Sequence, residues 1–238
     1  MPSQPVPSIT TAQMIEVDRL MIETYHINLI QMMENAGRCL AILSRKLFLS
    51  HRDRAKVVVM AGTGGNGGGG MVCARRLANW GYDVRVMVSS SRMAPVPQHQ
   101  MEILQQMGVP VTEMEDLQHP IDLIIDGLIG YSVKGAPRGQ VKEMIDWINR
   151  SAAKVISLDT PSGVDLTSGV VYHPVVKADA TMTLALPKKG LFARGVRAVS
   201  GPLYLADLSV PPGLYRQPSL DINVDPGIFR DGDIVKLH

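Results

Sequence analysis

Three short stretches of the 238-residue chain gather residue types that do chemistry. The first is Gly62-Thr-Gly-Gly-Asn-Gly-Gly-Gly-Gly70, in which seven of nine residues are glycine. A bare backbone at a strand-to-helix turn lets amide N–H groups approach a pyrophosphate at a helix N-terminus. The second is Asp126 with the glycine-bearing loop that follows it to Gly139, and the third is Asp159-Thr-Pro-Ser-Gly163. A carboxylate at a strand end points into a crevice, where it can act as general acid or base. Asp126, the Ser162 hydroxyl and nearby carbonyls also offer oxygen ligands for a hard cation. Each aspartate has a plainer reading as an N-cap or Asx turn. Two of them on neighbouring strand ends, beside so many glycines, favour a site.

Other chemistries are excluded or weak. No Lys-Ser or Lys-Thr follows the glycines, so there is no P-loop. Gly62-x-Gly64-x-x-Gly67 matches a dinucleotide fingerprint, but Ser89-Ser-Ser-Arg92 stands where the acidic ribose partner belongs. That cluster suits a 2′-phosphate and keeps an NADP-dependent oxidoreductase open as an alternative. Ser162 lacks the Gly-x-Ser-x-Gly frame of a hydrolase elbow. His26, His51, His99, His119, His173 and His238 show no metal-ligand spacing and read as surface or helix-flanking residues. Lys188-Lys189 reads as a solvated pair, one of which could meet a phosphate. Cys39 and Cys73 fall in apolar helical patterns and read as core, since their spacing excludes a CxxC pair.

The elements that must position these residues alternate. Thr10-Thr-Ala-Gln13 and Asn28-Leu-Ile-Gln31 are capping-box patterns, each followed by an apolar helical stripe, so two helices precede any strand. Lys56–Gly62, Asp83–Val88, Ile121–Asp126, Lys154–Asp159, Ala180–Leu186 and Leu203–Leu208 read as strands, with a short one at Val109–Thr112. Met71–Trp80, Val96–Met107 and Val141–Asn149 read as helices. Strands alternating with helices give an α/β fold, a mostly parallel sheet covered on both faces. Residues 1–9 read as a flexible Pro-rich lead, 10–212 as a single domain, and 213–238 as a tail packed on it or extending from it.

Composition agrees. Hydrophobic residues are 45% and charged residues 19%, enough for a core and against global disorder. A net charge of +2 is too balanced for a phosphate-backbone binder, and 5% aromatics is poor for base stacking, so nucleic acid is not expected as a partner. No apolar run reaches the ~18 residues of a membrane span. The first residues lack a basic and then apolar leader. A soluble, cytoplasmic protein is expected.

Five segments in order resemble the NAD(P)H-hydrate epimerase family, the YjeF N-terminal-type domain also found in the apolipoprotein A-I-binding protein. They are Met33-Glu-Asn-Ala-Gly37, the glycine run, Asp126-Gly-Leu-Ile-Gly130 with Arg138-Gly139, Asp159-Thr-Pro-Ser-Gly-Val-Asp165, and Ala180-Thr-Met-Thr-Leu-Ala-Leu-Pro-Lys188-Lys-Gly190. The resemblance covers residues 12 to about 210. It implies a Rossmann-like three-layer α/β/α sandwich, often dimeric. It also implies an isomerase that interconverts the epimers of hydrated NADH or NADPH, a damage product with a hydroxyl at C6 of the nicotinamide ring, and a bound potassium ion. Carried over residue by residue, the substrate would touch Gly65, Asn66, Gly67, Gly68 and Gly69, the loop Gly130, Tyr131, Ser132, Val133, Lys134, Gly135 and Ala136, and Asp159. Potassium would sit with Asn66, Asp126 and Ser162.

The family usually reads Asn-Asn-Gly-Gly-Asp-Gly in its glycine loop; here Gly65 and Gly69 stand in place of the first Asn and the Asp. That change removes a carboxylate from the expected substrate wall. It keeps open a catalytically impaired member that serves as a nucleotide-binding or dimerising scaffold. Asp159, on an apolar strand end, is the expected acid and then base for C6 inversion. The family is often fused to a dehydratase domain, for which 238 residues leave no room, so any dehydratase partner is expected to be a separate protein.

Overall fold

The computed structural model describes residues 5–112, 114, 117, 120–133 and 135–237. Positions 1–4 of the Pro-rich lead, Lys134, His119 and His238 lie outside the described residues.

Both capping boxes form helices. Gln13 Oε1 accepts the Thr10 N–H and the Thr10 hydroxyl accepts the Gln13 N–H, starting α1, Thr11–Glu23. Gln31 Oε1 accepts the Asn28 N–H at the head of α2, Leu29–Ser44, which runs on into a π-helical turn, Arg45–Leu49. Then follow β1 (Lys56–Ala61), α3 (Gly65–Asn79), β2 (Asp83–Val88), α4 (Pro95–Gln106), β3 (Leu123–Gly127), α5 (Gly139–Arg150) and β4 (Lys154–Leu158). The chain finishes with β5 (Ala180–Leu184), a 3-10 turn at Lys189–Phe192, α6 (Arg194–Ser200), β6 (Leu203–Ala206), α7 (Pro212–Tyr215) and β7 (Ile234–Lys236).

The seven strands lie in the order β2-β1-β3-β4-β5-β6-β7, all parallel except β7, which pairs antiparallel with β6. Central strands are buried on both faces, which is why β1 and β3 read as unbroken apolar runs. β1 is followed by β2 on one side and paired with β3 on the other. The chain order reverses there, and ligands collect at the carboxyl ends of such a switch point.

Four sequence expectations are corrected. The helix expected from Met71 starts six residues earlier, inside the glycine run. Glycine costs ~0.5–1 kcal/mol in a helix, and close packing outweighs that cost here. A Cβ on Gly37 of α2 would lie 2.4 Å from Val72 Cβ and 2.6 Å from the Gly69 carbonyl, and one on Gly68 would lie 2.4 Å from Met33 Sδ. The helices touch backbone to backbone only because these side chains are missing. The strand expected at Val109–Thr112 reduces to one bridge between Val86 and Val111. The strand expected to Leu186 stops at Leu184, because Ala185 turns left-handed at φ 61°. Lys188, expected in solvent, is fully buried.

The expectation that both cysteines belong to the core agrees with the structure, where each is buried and unpaired. β7 adds a strand to the sheet edge, and Leu214, Tyr215, Leu220, Val224 and Ile228 pack with Ile9 and the inner face of α1.

Candidate active site

A cavity of about 420 Å³ opens at the switch point. Its walls come from α1 (Met14, Asp18), α2 (Met32, Met33), Thr63–Asn66 at the head of α3, the loop Leu128–Ser132, Leu158 and Asp159 at the end of β4, and Lys188 beyond β5. Three strand-end loops expected to meet therefore do meet. The volume falls within the range of small-molecule sites.

Of the expected substrate residues, Gly65, Asn66, Gly130, Tyr131, Ser132 and Asp159 line the cavity. Gly67, Gly68 and Gly69 do not; they are buried in the first turns of α3. A Cβ at Gly69, where the resemblance leads one to expect Asp, would meet Leu158 Cδ2 at 2.9 Å and Ala36 Cβ at 3.6 Å. Val133, Gly135 and Ala136 lie outside the lining, and Lys134 outside the described residues. Of the Ser89–Arg92 cluster, Ser89 alone reaches the cavity.

Asp159 sits at a non-glycine left-handed position, φ 66°, with its N–H on the Met182 carbonyl at 2.7 Å. Such backbone costs of order 1–3 kcal/mol and clusters at functional sites. Its surroundings correct the apolar expectation. Lys188 Nζ donates to Asp159 Oδ1, to Thr183 Oγ1 at 3.3 Å and to the Leu184 carbonyl at 3.1 Å. Thr183 Oγ1 also donates to Asp159 Oδ1, at 3.2 Å. An ammonium has three donors, and all three are committed. Asp159 Oδ2 takes no hydrogen bond from the described residues. The lysine is held under Asp159 by a strap: the Ile9 N–H reaches the Pro187 carbonyl at 2.9 Å, and the Lys189 N–H reaches the Ile9 carbonyl at 2.8 Å. Sequence reasoning missed Lys188 because a lysine pair ordinarily faces water. The available signal was its place directly after a buried strand and a proline.

Asp126 departs from its expected place. It is fully buried and is not part of the cavity wall. Its Oδ1 accepts from the Ser162 hydroxyl at 2.6 Å and the Leu128 N–H at 3.2 Å. Its Oδ2 accepts from the Ser157 hydroxyl at 2.8 Å and the Ser162 N–H at 2.9 Å. The Leu128 contact is an Asx turn. Burial pushes the Asp126 carboxyl above its usual range, against the pull of these hydrogen bonds. No lysine or arginine among the described residues forms an ion pair with it.

Asn66, by contrast, lines the cavity. Its Nδ2 donates to the Leu158 carbonyl at 3.1 Å, and its Oδ1 lies 3.2 Å from where a Gly130 Cβ would be. Of the three residues expected to hold potassium, Asn66 lines the cavity, while Asp126 and Ser162 are hydrogen-bonded to each other and buried outside its lining. Their donors are all oxygen, and a buried carboxylate there lacks a cation partner. That donor set suits a hard cation rather than a soft transition metal. No group of three or more His, Cys, Asp or Glu side chains that could hold a metal occurs among the described residues.

Sequence reasoning also missed Asp18. The Tyr131 hydroxyl donates to Asp18 Oδ2 at 2.5 Å, joining α1 to the loop after β3 at the cavity wall.

Comparison with known proteins shows the family and the fold. Residues 29–190 match the family described as YjeF-related protein N-terminus. The NAD(P)H-hydrate epimerase of Dehalogenimonas lykanthroporepellens is 42% identical over 98% of this chain and 94% of its own. That of Entamoeba histolytica is 32% identical over 84% and 91%. The bifunctional NAD(P)H-hydrate repair enzyme Nnr of Moorella thermoacetica is 31% identical over 87% of this chain, which spans 41% of that longer protein. A crystal structure of the yeast protein YNL200c shares the fold with a TM-score of 0.83 at 23% identity, over 98% of this chain and all of that one. The motif order, the sheet and these relatives lead to one family, and the chain belongs to it: the YjeF-related N-terminal proteins.

Proposed function

We propose that this chain is an NAD(P)H-hydrate epimerase, inverting C6 of hydrated NADH or NADPH. The observation that carries the reading is the floor of the switch-point cavity, where a buried lysine fixes one oxygen of Asp159, a lining residue, and no described residue hydrogen-bonds the other. High identity to relatives bearing that name, over nearly the whole chain, supports it.

Inversion requires the C6–O bond to break and re-form on the other face. The ring nitrogen lone pair makes an iminium, and the departing hydroxyl takes a proton and leaves as water. In this reading Asp159 handles that proton through Oδ2, the oxygen that Lys188 does not hold. Lys188, with every donor committed, supplies counter-charge and orientation and is therefore a positioning residue. The amides at the start of α3, around Gly64 and Gly65, suit the pyrophosphate. Met32, Met33 and Leu158 give the rings an apolar wall.

Asn66, Asp126 and Ser162 would hold potassium, whose charge would balance the buried carboxylate and tie the loops after β3 and β4 together. The reading extends to a homodimer in the cytoplasm and to a separate dehydratase that consumes one epimer. No helix among the described residues is long and apolar enough to cross a membrane.

Asp159→Asn should lower C6 inversion by ~10²–10⁴-fold, the usual share of general acid–base catalysis, while equilibrium dialysis shows NADPH still bound. An Asp159→Asn protein that inverts C6 at the wild-type rate would remove the assignment. A wild-type protein that binds NADPH and never inverts C6 would instead favour the impaired scaffold reading, which the glycines at 65 and 69 keep in view.

A further inference from the structure

Resting on the epimerase reading, we propose that Asp18 is a second catalytic acid–base group, acting on the face of the ring turned away from Asp159. Inversion creates the need for one. Water leaves C6 on one face and must add on the other, where it has to give up a proton. A group fixed beneath one face by Lys188 and Thr183 cannot follow the oxygen round the ring.

The cavity contains a second carboxyl on a different wall. Asp159 rises from the sheet floor at the end of β4, whereas Asp18 comes in from α1, a helix outside the sheet. Asp18 is fixed by the 2.5 Å bond from the Tyr131 hydroxyl to Oδ2, and Oδ1 takes no hydrogen bond from the described residues. The strap through Ile9 that holds Lys188 leads straight into the Thr10 cap of α1, so one short segment sets both walls. Burial pushes the Asp18 carboxyl above its usual range, and the nearby Asp159 adds to this; Tyr131 and Lys188 pull the other way. A carboxyl raised in this way is the kind that can hold a proton to give.

The step balances. In one direction Asp18 gives its proton to the departing hydroxyl, the C6–O bond breaks, and the ring nitrogen forms the iminium. Water then adds from the Asp159 side, forming the new C6–O bond and passing a proton to the Asp159 carboxylate. The opposite epimer runs the same steps with the two carboxyls exchanged, and exchange with solvent restores the starting protonation.

Asp18→Asn tests this, because the amide oxygen still accepts from Tyr131 while the titratable proton is gone. The assay follows inversion of each separated epimer of hydrated NADPH in ¹⁸O-water, with exchange of the C6 oxygen read by mass spectrometry. In the wild type every inverted molecule should carry solvent oxygen, a measurement that stands whether or not the variant folds. In Asp18→Asn inversion should fall by ~100-fold or more. ¹⁸O exchange with retention should persist in one epimer, the one whose hydroxyl faces Asp159. Inversion at the wild-type rate in Asp18→Asn overturns the proposal. So does equal loss of inversion and of exchange in both epimers, which would make Asp18 a positioning residue. Inverted product that keeps its original oxygen overturns it too. A wild-type protein without inversion or exchange fails the epimerase reading itself, and this inference with it.

Discussion

Lys188 and Asp159 form a buried ion pair in which each side chain is needed to make the other tolerable. Removing one partner of such a pair leaves an uncompensated buried charge, at about 3–5 kcal/mol. Lys188→Met should therefore destabilise the fold by about that amount in urea unfolding. The double variant Lys188→Met/Asp159→Asn should recover a large part of the loss, because no charge is stranded. Additive losses in that double-mutant cycle would show that the two do not depend on each other. At this scale the sequence was half legible. Asp159 was marked by its strand-end motif, and its partner was not, since neighbouring lysines carry no sign of which one turns inward. Asp18 did carry a sign. It lies four residues after Met14 and three before Met21, both buried, so its place is on the apolar side of α1. A charged residue on such a side is a candidate for a site.

At the scale of the element, the glycine run shows where turn reasoning runs out. So many glycines suggest a loop, and α3 instead begins at Gly65, with N-cap Gly64. Each glycine serves a different end. A Cβ at Gly67 would lie 1.9 Å from the Gly62 carbonyl oxygen, a backbone atom that cannot swing away, whereas one at Gly65 meets nothing nearer than Met33 Cε at 3.8 Å. Gly67→Ala should therefore destabilise by about 3 kcal/mol or more, at the upper end of overpacking. Gly65→Ala should be neutral or gain up to ~1 kcal/mol from helix propensity. Thermal melts of the two variants side by side check this, and equal effects would mean that α3 does not pack so closely at its start. No reading of one chain could separate these glycines, because what distinguishes them is the opposite backbone. The capping boxes of α1 and α2 were legible, since their geometry is local.

For the whole molecule, alternating strands and helices announced the parallel sheet, and the strand order came from structure alone. β7 is three residues long, too short for a periodic signal, and its pairing with β6 reaches across residues 207–233, which include α7. The cavity depends on this global arrangement, because its walls come from residues as far apart as Met14 and Leu208. The potassium proposal belongs at this scale as well. An ion that binds the folded state alone stabilises it by RT ln(1 + [L]/Kd), ~2.7 kcal/mol at a hundredfold excess over Kd. The melting temperature should rise with potassium at constant ionic strength, relative to tetramethylammonium, and the rise should vanish in Asp126→Asn. A melting temperature indifferent to the choice of cation would leave the buried carboxylate satisfied by its four hydrogen bonds alone.

The most direct test of the central claim is to give the wild-type protein one separated epimer of hydrated NADPH and follow C6 configuration by chiral chromatography. The epimerase account expects the same equilibrium mixture from either epimer, reached far faster than in buffer, and no such acceleration from Asp159→Asn. Wild-type protein that binds the compound yet leaves its configuration to drift at the buffer rate would contradict it.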